Sequence, residues 1–128
     1  MKIFVDTTAW YGFFVQNDQF HTKATEYFSS QPKLTTSGIV IEETLALMHH
    51  RVGKREAVMA GQLVHQMCDG SIWYITAKEN DEIIHLYRST PRYIDYVDTS
   101  IIWLCRKLEL PVFTFDAHFK KMGLTIVP

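Results

Sequence analysis

Four acidic positions stand at the ends of predicted buried elements. Asp6 and Asp116 each follow a short run of apolar, β-forming residues, and Asp98 precedes a strongly apolar helical segment. The fourth position is one of two neighbours in the first turns of another predicted helix, Glu42 or Glu43. A carboxylate beside an apolar core is costly unless it is paired, caps a helix or binds a metal. These acids are therefore the candidates for chemistry.

Helix capping explains each acid taken singly, because a carboxylate in a first helical turn is worth about 1 kcal/mol. Together they favour a shared site. If the strands before Asp6 and Asp116 are neighbours in a parallel sheet, both side chains emerge at the same edge. Clustered carboxylate oxygens suit Mg²⁺, with Mn²⁺ as a possible substitute. Such a cation activates water for attack on a phosphodiester and stabilises the charge that develops.

The elements that must position these acids alternate between short strands and helices. We expect strands at about 3–5, 33–35, 72–75, 111–115 and 124–127. We expect helices from residue 9 and at about 20–29, 36–52, 54–68, 78–88, 96–108 and 117–121, with Thr7 and Thr8 capping the first and Asp18 the second. This order predicts an α/β fold, a three-layer α/β/α sandwich with a mostly parallel central sheet.

The spacing of apolar residues predicts which helix faces are buried. In the third helix the predicted buried stripe is Ile41, Leu45, Met48 and Val52. In the fourth helix the apolar positions are Val58, Leu63, Val64 and Met67. Cys105 lies on the apolar stripe of the helix over 96–108, and we expect it in the core.

The amino-acid composition limits the classes of function that the chain can have. The 128 residues, 47% of them hydrophobic, predict a single domain over 1–128 with one core. A net charge of -1 gives no overall signal for nucleic-acid binding, so any such binding must be local. Cys68 and Cys105 have no metal-site spacing, which indicates free thiols and a cytoplasmic protein. No apolar run reaches transmembrane length, and we expect no membrane contact.

Three segments of the chain resemble the PIN-domain family, and closely the single-domain VapC-type ribonuclease toxins. They read VDTTAW near the start, TSGIVIEETLAL in the third predicted helix, and YVDTSIIWLCRKLELPVFTFDAHF near the end. The VDTSI and VFTFDAHF parts are quite specific, and the order and spacing of all segments strengthen the match. The resemblance spans essentially the whole chain.

This resemblance implies a metal-dependent endoribonuclease with a Mg²⁺ or Mn²⁺ site. It assigns Asp6, Glu43, Asp98 and Asp116 as the catalytic and metal-binding residues, with Asp6 and Asp98 as the principal ligands. Glu43 is favoured over Glu42 because it immediately precedes Thr44-Leu45, as in the family. Asp95, one helical turn before Asp98, is expected to be a cap or a supporting acid.

The resemblance also implies partners. They are an RNA substrate, a cognate antitoxin protein and a second copy of the chain in a homodimer, which would make the protein the toxin of a type II toxin-antitoxin pair. Local basic residues that could contact an RNA backbone are His49, His50, Arg51, Lys54, Arg55, Lys120 and Lys121. No histidine is assigned as a metal ligand.

The sequence leaves three alternative functions to compare. A PIN-like nuclease of RNA processing, or a PIN-like module that binds RNA or a partner without cleaving, would keep the same fold. A receiver-type phosphoacceptor domain is disfavoured because it needs an Asp ending a central strand and a Lys ending a later one. The predicted strand over 72–75 runs into Thr76-Ala77-Lys78 without an acid.

Overall fold

One five-stranded sheet organises the molecule. The computed structural model describes all 128 residues. The strands are β1 (Lys2–Val5), β2 (Lys33–Ser37), β3 (Ile72–Trp73), β4 (Val112–Phe113) and β5 (Ile126–Val127). They lie in the order β3-β2-β1-β4-β5, and every pair is parallel. The sheet is thus entirely parallel, within the mostly parallel arrangement predicted.

Seven helices connect and cover these strands. They are α1 (Thr7–Phe14), α2 (His21–Ser29), α3 (Gly38–Arg51), α4 (Lys54–Met67), α5 (Ala77–Tyr87), α6 (Tyr96–Leu108) and α7 (His118–Lys121). The predicted bounds of α6 match those of the structure. The other predicted elements are present with ends shifted by one or two residues.

The order of the strands places the helices in two layers. The chain moves outward from β1 through β2 to β3, then returns to β4 and β5 on the other side of β1. Because crossovers between parallel strands are right-handed, α1 to α4 cover one face and α5 to α7 the other. Contacts of α1 with α2 and α3, of α3 with α4, and of α5 with α6 agree with this division. The α/β/α prediction is confirmed.

The core lies on both faces of the sheet. Its largest fully buried side chains include Trp10, Phe4 and Phe113, and Cys105 is buried there as expected. β1 and β4 are in register with Phe4 opposite Val112 and Val5 opposite Phe113. The two strands therefore end level with each other, which fixes the relative height of the residues that follow.

Two predicted helix caps are wrong. Thr7 and Thr8 lie inside α1, and the residue that caps this helix is Asp6. Asp18 does not cap α2, whose N-cap is Phe20 without a side-chain cap bond. Instead the Asp18 carboxylate accepts a hydrogen bond from the Phe20 backbone N–H at 3.0 Å, which closes the turn before the helix.

Val52, predicted on the buried stripe of α3, is exposed because it lies beyond the end of that helix. In α4, Val64 is fully buried together with Ala57 and Ala60, whereas the apolar side chains of Val58 and Leu63 are exposed. The helix α4 packs so closely on α3 that a Cβ added to Gly61 would lie 3.2 Å from Leu45. Small residues therefore permit the close contact between the two helices. No helix has the length and apolar character that crossing a bilayer requires.

Candidate active site

Asp6 is fixed at the junction of β1 and α1. Its backbone is extended, its side chain accepts a hydrogen bond from the Thr8 backbone N–H at 3.4 Å, and the residue is only 4% exposed. Its own N–H donates to the Phe113 carbonyl of β4 at 3.0 Å. Successive strands are added in one direction from β1 to β3 and in the opposite direction from β4 to β5, so the strand order reverses between β1 and β4. Open α/β sheets bind ligands at this point.

Two threonine hydroxyls hold one oxygen of the Asp6 carboxylate. Thr114 Oγ1 donates to Asp6 Oδ2 at 2.7 Å, and Thr8 Oγ1 donates to the same atom at 2.9 Å. The two hydroxyl oxygens are 3.1 Å apart. These bonds all reach Oδ2, so Oδ1 is left for another partner. Burial raises the pKa of Asp6 above its ordinary value, and these hydrogen bonds act in the opposite direction.

The same network extends to the segment after β4. The Phe115 N–H donates to Thr8 Oγ1 at 3.0 Å, and the Asp116 N–H donates to Thr114 Oγ1 at 3.0 Å. The hydroxyls thus join residues that are more than one hundred positions apart in the chain. These hydrogen bonds therefore link Asp6 to the start of the Asp116 segment.

Asp98 lies in the first turn of α6, where it forms a capping box with Asp95. The Asp98 N–H donates to Asp95 Oδ1 at 2.8 Å, and the Asp95 N–H donates to Asp98 Oδ2 at 3.3 Å. Asp95 is therefore the cap, one of the two roles expected for it. Asp98 itself is half-buried, and the capping bond leaves its other oxygen, Oδ1, uncommitted.

The surroundings of Asp98 shift its pKa. Its pKa is raised to about 7, mainly by burial and then by the carboxylate of Asp95, with smaller contributions from Asp6 and Asp116. The structure thus brings Asp98 near enough to Asp6 and Asp116 for their charges to act on it. Asp6 also contributes to raising the pKa of the Cys105 thiol to about 12, after burial, so this cysteine stays a protonated core residue.

Asp116 is held by the first residue of α7. Its Oδ1 accepts a hydrogen bond from the His118 backbone N–H at 2.9 Å and lies 3.3 Å from His118 Nδ1. His118 therefore serves as a hydrogen-bonding residue beside the acid.

Glu43 differs from the three aspartates. It lies in α3, is half-buried, and does not take part in the hydrogen-bond network of Asp6. Glu42 is exposed. The choice of Glu43 over Glu42, and the role of Glu43 in the site, stay predictions.

A divalent cation fits the chemistry of these donors. No group of three or more His, Cys, Asp or Glu side chains is placed so that it could hold a metal ion. Mg²⁺ is usually bound through only one or two carboxylates, because it keeps several waters. The charges of Asp6 and Asp116 repel that of Asp98, and neither ion pair in the molecule brings a Lys or Arg to these acids. A cation between them would relieve that repulsion.

One residue of the network was missed from the sequence. Thr8 was considered only as a helix cap, yet it links Asp6 to the Phe115 backbone. A hydroxyl two residues after an acid that ends a strand was the available signal. Two other threonines lie next to the acids without joining the network. Thr99 donates to the Asp95 carbonyl at the start of α6, and the Thr7 hydroxyl is buried without a partner.

Comparison with known proteins identifies the family. The family model described as PIN domain matches residues 3–124. The chain belongs to the PIN-domain family. Its predicted membership is thereby confirmed.

This PIN domain is similar to a characterised nuclease along its length. It is 29% identical over 128 residues to the 23S rRNA-specific endonuclease VapC20 of Mycobacterium tuberculosis, covering 98% of this chain and 97% of the relative. The crystal structure of VapC20, described as a toxin that cleaves the sarcin-ricin loop, superposes with a TM-score of 0.85, 28% identity and 96% coverage of both chains.

Two more distant structures share the fold. FitAcB from Neisseria gonorrhoeae superposes with a TM-score of 0.72 at 17% identity, covering 100% of this PIN domain and 97% of that chain. PAE2754 from Pyrobaculum aerophilum gives a TM-score of 0.64 at 17% identity, with coverage of 99% and 90%. At this identity they support the architecture and not the activity.

Proposed function

We propose that this PIN domain is an endoribonuclease that acts as the toxin of a type II toxin-antitoxin pair. The observation that carries the proposal is its similarity to VapC20, a 23S rRNA-specific endonuclease, over 98% of the chain. The meeting of three aspartates at the reversal point of the sheet supports it, because this is where a PIN-domain nuclease needs its acids. We also propose that residues 1–128 form one nuclease domain.

The proposed reaction is hydrolysis of an RNA phosphodiester with Mg²⁺ or Mn²⁺. Asp6 and Asp98 would be the principal ligands, and Asp116 and Glu43 would complete the acidic site. The cation supplies activation of water and stabilisation of charge on the phosphoryl group. Thr8 and Thr114 orient Asp6 by holding Oδ2, so that Oδ1 is presented to the site. His118 orients Asp116 in a similar way.

The proposed substrate is ribosomal RNA. VapC20 is described as cleaving the sarcin-ricin loop of 23S rRNA, so that loop is the first RNA to test on this chain. A structured loop suits protein recognition because its bases are accessible outside a regular helix.

The proposed protein partners are an antitoxin and a second copy of the chain. Apolar side chains remain exposed on α4, namely Val58, Met59 and Leu63. A contiguous exposed apolar surface marks interaction sites more often than it occurs by chance on a monomer. Light scattering should therefore give twice the chain mass of 14.9 kDa. A value equal to the chain mass at micromolar concentration would exclude the homodimer.

The activity is tested by cleavage of a sarcin-ricin loop RNA and a panel of unrelated RNAs. We expect the wild-type protein with Mg²⁺ or Mn²⁺ to cut the loop RNA, with chelator to stop the reaction. Asp6→Asn should lower the rate by at least about a hundredfold, because the substitution removes a principal ligand charge. Asp69→Asn is the matched control, since Asp69 is an exposed acid just before β3, at the opposite edge of the sheet.

The outcomes separate the candidate functions. Cleavage of other RNAs but not the loop would keep the nuclease and reject the substrate. Cleavage at the wild-type rate by Asp6→Asn would reject the assigned site. No cleavage of any RNA with either metal would favour a PIN domain that only binds RNA or a partner.

A further inference from the structure

An exposed group of aromatic and basic side chains adjoins Asp116. We call it the Tyr93 surface, and its members are Tyr93, His118 and Lys121. Tyr93 is 47% exposed although it is a large aromatic residue. It belongs to the segment between α5 and α6, whereas the other two residues lie on α7. The acidic site does not use Tyr93 or Lys121.

The members of this surface are in mutual contact. The rings of Tyr93 and His118 have centroids 4.7 Å apart and are tilted by 46°. Lys121 Nζ lies 5.5 Å from the centre of the Tyr93 ring, within the range of a cation–π interaction. His118 Nδ1 in turn lies 3.3 Å from Asp116 Oδ1. The surface is therefore continuous with the acidic site.

Buried neighbours hold both halves of the surface in place. Ile94, next to Tyr93, is 1% exposed and its N–H donates to the Pro91 carbonyl at 2.9 Å. Asp95 then caps α6. On the other half, Phe119 of α7 is fully buried. An aromatic ring that is exposed yet anchored in this way is ordered before any ligand binds, which lowers the entropic cost of binding.

The charges beside this surface suit an RNA chain. The whole molecule carries a net charge of -1, and the acidic site repels phosphate. Next to the acids, however, Lys121 and the adjacent Lys120 are exposed, and exposed Arg92 precedes Tyr93. Single-stranded nucleic acids bind where cations meet the backbone and aromatic rings stack on bases. The structure offers this combination on a surface that is joined to Asp116 through His118.

We propose that the Tyr93 surface binds a nucleotide adjacent to the one whose phosphodiester is cut, with its base against Tyr93 and a phosphate against Lys121. This inference rests on the proposed ribonuclease function and adds to it a substrate-positioning surface. Tyr93 and Lys121 act on the affinity for RNA and on its placement, and not on the chemical step.

The test measures RNA binding separately from cleavage. Binding of a fluorescein-labelled sarcin-ricin loop RNA is followed by fluorescence anisotropy in chelator, where cleavage is stopped. Tyr93→Ala should raise Kd by about five- to twentyfold, as loss of one stacked base does, whereas Tyr93→Phe keeps the ring and should stay within about twofold. Lys121→Ala should reduce the slope of log Kd against log salt by about one. In cleavage assays both alanine variants should raise KM more than they lower kcat.

Matched controls test whether any exposed tyrosine or lysine would give the same result. Tyr87 is 41% exposed and stacks edge-on with Tyr96. Lys33 is exposed and is the first residue of β2, away from the carboxyl edge of the sheet. Tyr87→Ala and Lys33→Ala should bind RNA within about twofold of wild type. Thermal melting should show that all variants fold.

Each outcome bears on one hypothesis. Wild-type RNA affinity in Tyr93→Ala and an unchanged salt slope in Lys121→Ala would overturn the inference, even if the protein cleaves RNA. Equal losses in the control variants would overturn it as well. If RNA binding depends on Tyr93 but no RNA is cut, the binding surface is supported and the proposed nuclease function fails. If Tyr93→Ala melts early, Lys121→Ala and Tyr93→Phe still decide the result.

Discussion

Two features of the surroundings of Asp98 have opposite effects on its charge. As the third residue of α6 it stabilises the helix by accepting the Asp95 N–H, which favours a carboxylate. Burial and the nearby acids favour the neutral form and raise its pKa to about 7. Without a cation, the ionised side chain is therefore a source of instability at neutral pH.

This conflict predicts how stability depends on pH. Between the ordinary value of 3.8 and about 7, folded Asp98 holds a proton that the unfolded chain has released. The contribution of Asp98 to the free energy of unfolding is thus fully present below pH 3.8 and is lost as the pH rises through about 7. In chelator, Asp98→Asn should be more stable than wild type at pH 8 by about 1 kcal/mol, a value discounted for partial exposure. The difference should shrink at pH 5, and urea unfolding at both pH values measures it.

A difference between wild type and Asp98→Asn that is the same at pH 5 and pH 8 would contradict this assignment. Asp69→Asn, at an exposed acid, serves as the control and should show no such pH dependence.

The two glutamates of α3 give the second prediction. Glu43 is half-buried and Glu42 is exposed on the same helix turn. If Glu43 completes the acidic site, Glu43→Gln should lower RNA cleavage by about ten- to a hundredfold, the loss typical of residues that support a metal site. Glu42→Gln should leave it within about twofold, because solvent surrounds that side chain. Single-turnover cleavage rates compare the two, and the reverse order would transfer the role to Glu42.

The level ends of β1 and β4 make the site rigid. Thr114, just after β4, donates to Asp6, just after β1, and accepts from the Asp116 N–H. Asp6 and Thr114 each come directly after a strand, so the sheet determines their separation. Thr114→Val should cost about 1–3 kcal/mol of unfolding free energy, because it removes the donor to buried Asp6 and the acceptor of the Asp116 N–H. Urea unfolding measures this loss.

Thr114→Ser keeps the hydroxyl and is the matched control. It should recover most of the stability and most of the cleavage activity. If Thr114→Ser were as unstable as Thr114→Val, packing of the methyl group would explain the loss instead of the hydrogen bonds.

The sequence predicted the elements better than their contacts. The apolar runs before Asp6 and Asp116 were sufficient to predict β1 and β4, because buried parallel strands are continuously apolar. The cap of α1 was missed because Asp6, Thr7 and Thr8 are all good capping residues, and only the backbone conformation chooses among them. The exposure of Val52 was missed because the spacing of apolar residues does not show that α3 ends at Arg51.

The candidate site could be predicted only as a set of residue types. Strand-end acids predict a shared edge, but the bond from Thr8 to the Phe115 N–H depends on the register of β1 against β4. The strand order could not be predicted either, because no local sequence pattern shows that β1 and β4 are neighbours. Tyr93 shows the limit most clearly, because its contact with α7 joins segments that share no local motif.

The acidic site is formed by residues from both ends of the chain. Asp6 lies at the start, Asp98 and Asp116 lie in the last third, and the reversal of the sheet between β1 and β4 brings them together. A ligand bound among them therefore bridges segments that separate completely on unfolding. Binding of a cation should consequently stabilise the entire fold, and not only the loops that contact it.

The last prediction is therefore a metal-dependent shift in thermal stability. A ligand at one hundred times its Kd adds about 2.7 kcal/mol to the free energy of unfolding, and for a chain of this length that corresponds to a rise in Tm of about 10 °C. We expect such a rise with Mg²⁺ or Mn²⁺ at pH 8, reversed by chelator and smaller at pH 6, where protons compete for Asp98. Differential scanning calorimetry checks it without any RNA. Asp6→Asn and Asp98→Asn should lose most of the rise, whereas Asp69→Asn should keep it. An equal rise in all three variants would place the cation outside the acidic site, because only a bond to Asp6 and Asp98 makes the stabilisation depend on their charge.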